Sequence, residues 1–88
     1  MTFKNSVTAL FVQEALTRPQ AIAVIDKEEC ITYKELNTRA ERIACLLRKK
    51  GVTRDMLVPV VLESGIDIIA AILGIFRAGG AFVPVDPY

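Results

Sequence analysis

The residues best placed to do chemistry lie in one run, 76–86, which reads Phe-Arg-Ala-Gly-Gly-Ala-Phe-Val-Pro-Val-Asp. Gly79-Gly80 is the kind of pair that could cradle a phosphate, and Asp86 is a carboxylate at the end of an apolar stretch. A phosphate loop, however, follows a strand and opens a helix, where free amides and the positive dipole end meet the anion. Here the glycines follow a helical pattern and precede a strand-like one, so a helix stop is the reading that fits. Asp86 falls at the C-terminal end of an expected parallel strand, where α/β folds hold ligands. It also belongs to Pro84-Val85-Asp86-Pro87, in which each proline fixes its own φ and restricts the residue before it. A stiff turn accounts for it first.

The remaining candidates reduce to structural roles. Thr32 and Ser64 carry hydroxyls, but both stand where a helix cap is needed, and a nucleophile needs a base. The chain has no histidine, which removes the usual triads and the commonest metal ligand. The carboxylates are scattered over turns and polar faces without an inward-facing pair. Arg48-Lys49-Lys50 reads as a solvated helix end. Two cysteines, Cys30 and Cys45, sit inside apolar patterns without Cys-x-x-Cys spacing and read as buried reduced thiols. No catalytic, cofactor-binding or metal-ligating residue is assigned.

Local signals place these residues on a short series of elements. From Ser6 to about Arg18, Val7, Leu10, Phe11 and Ala15 fall near one helical face, and Pro19 closes the helix. Residues 21–25 are a compact apolar run, 26–29 a charged turn and 30–33 a returning strand, which makes a hairpin. Thr32 with Glu35 fits a capping box opening a second helix, with Leu36, Ala40, Ile43, Ala44 and Leu47 as its apolar stripe. Glu35 and Arg39 are spaced as an i,i+4 ion pair, and Gly51 supplies a left-handed stop. A third strand follows at 57–62, although Pro59 inside it suggests an edge or a bulge. Ser64 with Asp67 then opens a helix through about Ala78 that is apolar almost all round. Gly79 ends it, and residues 81–83 begin a fourth strand.

Strand, helix, strand in that order predicts parallel strands joined by a crossover. The expected fold class is therefore α/β: a β-hairpin plus a βαβ unit with packed helices, forming part of a larger sheet. Parallel sheets carry helices on both faces, and this sequence supplies too few.

Composition sets the bounds. Eighty-eight residues make at most one small domain, and a chain of that size buries only about 60–65% of its unfolded surface. At 52% hydrophobic it holds more apolar surface than so short a chain can hide. Eleven basic and ten acidic residues give a net charge of +1, which offers no electrostatic case for nucleic acid or an anionic membrane. The first residues lack an apolar signal region, and no apolar run approaches the roughly 20 residues of a membrane span. A cytoplasmic address is expected.

Two segments also carry a family resemblance. Ile31-Thr32-Tyr33-Lys34-Glu35-Leu36 resembles the first core motif of adenylation domains, with only Ile31 departing from it. Residues 76–86 resemble their second motif: Ala78, Gly79, Ala81, Val83, Pro84 and Asp86 match, and Phe76, Arg77, Phe82 and Val85 depart conservatively. Residues 35–37 and Asp86-Pro87 look like the amino-acid-activating modules of nonribosomal peptide synthetases.

The resemblance covers nearly the whole chain and implies an N-terminal portion, residues 1–88, of an AMP-dependent synthetase or ligase domain. It implies an intact parent that uses ATP and Mg2+ to turn a carboxylate into an acyl-adenylate. That parent then loads a phosphopantetheine arm of a carrier domain. The implied partners are the remainder of the adenylation domain and that carrier. The family's phosphate loop, substrate pocket and catalytic lysine have no counterpart in these residues, so no adenylating activity is expected of the chain alone. Two other readings stay open: a fragment of an acyl-CoA synthetase or D-alanine carrier-protein ligase, and a non-catalytic module that pairs with a separately encoded remainder.

Overall fold

A computed structural model describes residues 3–61 and 65–85, with side chains from Val7 onward. The order is α1 (Phe3–Thr17), β1 (Ile22–Asp26), β2 (Glu29–Thr32), α2 (Tyr33–Lys49), β3 (Leu57–Val61), α3 (Ile66–Arg77) and β4 (Ala81–Val85). This is the expected α/β series. β1 and β2 form an antiparallel hairpin, and β3 pairs with β4 in parallel register, Leu57 with Ala81 through Val61 with Val85.

The second helix forms as its sequence dictates. The Thr32 side chain accepts from the Glu35 amide at 3.2 Å, and the Glu35 carboxylate accepts from the Thr32 amide at 3.4 Å. Two of the helix's orphan donors are thereby satisfied reciprocally. At its other end Gly51, at φ 93°, donates to the Arg48 carbonyl, and Val52 donates to that of Leu47. These two bonds make a Schellman closure.

The core is thin and mixes large aliphatic residues with alanines. Ile31, Leu36, Ile66 and Ala70 form its buried centre, with Phe11, Val24, Ile43 and Leu73 packed against it. Ala40 and Ala44 on α2 and Ala70 and Gly74 on α3 are all buried, and the Ala40 carbonyl lies close to Gly74. A Cβ on Gly74 would lie 2.6 Å from the Ile43 methyl, so this helix pair crosses at a separation only glycine permits.

Several expectations need correction. α1 starts at Phe3 rather than Ser6, and Leu10 is 65% exposed instead of sharing the buried face. A helix apolar on several sides gives no unique stripe; among its described residues Ala15 is buried and Phe11 packs against the core. The N-cap of α3 is Gly65, at φ 107° and with no side-chain cap bond, rather than Ser64. Ser64, Leu62, Asp86 and Pro87 lie outside the described residues. Both cysteines are exposed, not buried: Cys30 faces out of a two-stranded hairpin and Cys45 lies on the polar side of α2.

Candidate functional site

The Gly79-Gly80 turn is the first place to test for a ligand site. Gly79, at φ 91°, donates to the Phe76 carbonyl at 3.0 Å, and Gly80 donates to that of Ile75 at 2.9 Å. Ala81 donates to Met56 at 2.9 Å, which starts the parallel ladder. Every amide of this turn therefore points inward to a carbonyl, and none is left to meet an anion. The turn also lies at the C-terminal, negative end of the α3 dipole, which disfavours an anion. These residues do not fit a nucleotide phosphate. They close a helix and launch a strand.

A polar seam joins α2 to the end of α3. The Arg77 side chain, 12% exposed, donates to Asn37 Oδ1, to the Asn37 carbonyl and, at 3.1 Å, to Glu41 Oε2. Glu41 Oε1 also receives Arg48 Nη1 at 3.5 Å, and Arg48 Nη2 reaches the Arg77 carbonyl at 3.3 Å. The hydrogen bond from Arg77 holds the Glu41 carboxyl below its ordinary range, against a smaller opposing effect of burial; contacts from Cys45 and Arg48 help. In the sequence Arg77 is a conservative departure from the second motif and nothing more. Its partners lie 36 and 40 residues away, so no local signal announced them.

The expected Glu35–Arg39 pair does not form. The Glu35 carboxylate is held by Thr32, and Arg39 instead reaches Asp67 on α3 at 3.2 Å. That contact is a solvent-exposed link between the same two helices and contributes little.

An open groove of about 660 Å³ runs between α1 and the end of α3, walled by Thr8, Val12, Leu16, Phe76, Arg77 and Gly79. Arg77 is the charged member of that wall, and its guanidinium is already engaged by Asn37 and Glu41. Among the described residues no group of three or more His, Cys, Asp or Glu is placed to hold a metal ion. None of their helices is long and apolar enough to cross a membrane. What the arrangement does is positional: it fixes the α3–β4 junction against α2.

The two motif segments thus occupy defined places. The first, at Ile31 to Leu36, ends β2 and caps α2; the second ends α3 and forms β4. Comparison with known proteins follows the same lines. The sequence profile of the AMP-binding enzyme family matches residues 11–88. Bacitracin synthase 1 of Bacillus licheniformis is 44% identical over 83 residues, which is 94% of this chain and 2% of that protein. The nonribosomal peptide synthetase FmoA3 superposes with a TM-score of 0.87 at 41% identity, over 91% of this chain and 9% of its own. FmoA3 has been crystallised with AMPPNP and with α-methyl-L-serine-AMP bound. A fatty acyl-adenylate ligase from L. pneumophila, solved with acyl adenylate and pyrophosphate, matches at 29% identity and a TM-score of 0.85, over 92% of this chain and 15% of that one. In each case the chain spans only a small part of its relative.

Proposed function

Because the chain belongs to the family of AMP-binding enzymes, we propose that residues 1–88 are an N-terminal scaffold portion of an amino-acid-adenylating domain of a nonribosomal peptide synthetase. In that setting ATP, with Mg2+, would supply an adenylyl group to an amino-acid carboxylate, with pyrophosphate leaving, and a carrier domain's phosphopantetheine thiol would then take the aminoacyl group, with AMP leaving. The residues of this chain take no direct part. Their work is to cap α2, close α3 and lay down the β3–β4 parallel pair on which a larger sheet continues. The cytoplasm suits such a role.

One observation carries this reading. Both motif segments are consumed by structure: Thr32 and Glu35 by the cap, Gly79 and Gly80 by the helix closure. A scaffold assignment explains groups that are typical of the family yet have no free donor to offer a ligand. The peptide-synthetase branch is favoured over the fatty acyl branch by identity, 41–44% against 29%.

Two measurements test the proposal. The purified chain is expected to show no amino-acid-dependent exchange of pyrophosphate into ATP, and no stoichiometric ATP site by equilibrium dialysis; tight one-to-one ATP binding overturns the scaffold assignment. Conversely, this chain grafted into FmoA3 in place of the matching segment is expected to leave its binding of α-methyl-L-serine-AMP and the acid it activates unchanged. A graft that folds but changes the acid activated shows that the segment sets specificity.

A further inference from the structure

We draw no further inference here: the strongest candidate, the wholly apolar outer face of the β3–β4 sheet formed by Leu57, Pro59, Val61, Ala81, Val83 and Val85, carries none because nothing in the structure shows what covers it.

Discussion

Arg77, in the last turn of α3, sets its guanidinium 3.1 Å from the Glu41 carboxylate on α2 while the backbone carbonyl of the same arginine receives Arg48 at 3.3 Å. One residue therefore ties the end of α3 to α2 through both its side chain and its main chain. The next three residues turn the chain into β4, so whatever holds Arg77 also aims that strand.

Replacing Arg77 by alanine removes three side-chain bonds from a group that is largely shielded from water. Hydrogen bonds to charged partners are worth about 1.5–3 kcal/mol each when buried, and the exposure of Glu41 lowers this, so a net loss of about 1–3 kcal/mol is expected. Arg77→Lys keeps the charge but not the planar fork that spans Asn37 and Glu41, and falls between wild type and alanine. Urea midpoints at constant m-value check the ranking.

Glu41 gives the seam a pH dependence of definite sign. Its carboxyl is held below the ordinary value of 4.5, chiefly by the hydrogen bond from Arg77. An acid whose folded pKa is depressed contributes stability that is fully present above the unfolded pKa. That stability is lost as pH falls through the folded value. Stability of the chain therefore declines below about pH 4.5, and Glu41→Gln makes that decline shallower while lowering stability at neutral pH. The check is a set of denaturant midpoints for both proteins between neutral and acid pH. An unchanged acid limb in Glu41→Gln shows that the pairing is not coupled to folding.

Thr32→Ala deletes the cap acceptor and the hydroxyl that donates to the Glu35 carboxylate, leaving that carboxylate the Thr32 backbone amide. Loss of such a cap costs about 1 kcal/mol, within a range of about 0.5–2. Thr32→Ser keeps the acceptor and stays within a few tenths, which circular dichroism melts of the two variants resolve.

Gly74→Ala is expected to be more damaging than either change at the helix ends. The new Cβ meets the Ile43 side chain at 2.6 and 2.7 Å and the Ala40 carbonyl at 3.0 Å, so α2 and α3 must move apart. Overpacking of this kind costs about 1–3 kcal/mol or more. Gly51→Ala, at φ 93° but with nothing within 4 Å, bears only the left-handed backbone penalty of about 1–2 kcal/mol. Thermal melts in which Gly51→Ala proves the worse of the two contradict the close crossing.

The contrast between those sites reflects what the sequence could and could not disclose. α2 was legible end to end because its cap, its stripe of Leu36, Ala40 and Ala44 and its Gly51 stop are all local signals. The hairpin and the parallel β3–β4 pair followed from element order and turn chemistry. The facing of Leu10, Cys30 and Cys45 did not, because an apolar neighbourhood along the chain does not say which side of an element meets the core. Arg39 was assigned to Glu35 by spacing, yet its partner Asp67 lies 28 residues on, and Arg77 became meaningful only once α3 lay across α2. Local rules set the elements; the seam between them is a tertiary fact.

The β3–β4 sheet carries the last expectation. Along β3 the exposed positions are Leu57, Pro59 and Val61, while Val58 and Val60 are half-buried. A two-sided parallel sheet normally has helices on both faces, and among the described residues α3 is the helix that packs on both strands. Leu57, 68% exposed, therefore gains little from burial in this chain. Leu57→Lys is expected to leave stability within about 0.5 kcal/mol, as for other exposed substitutions. It should also reduce binding of a dye that reports exposed apolar surface, and raise solubility. Val58→Lys places a charge where the side chain meets Val58's neighbours at the α3–β4 turn, near Gly80, and costs several-fold more stability. Paired melts and dye titrations decide between the faces: if Leu57→Lys destabilises as much as Val58→Lys, the outer face is already packed, and the sheet is not the open platform that a larger adenylating domain would build upon.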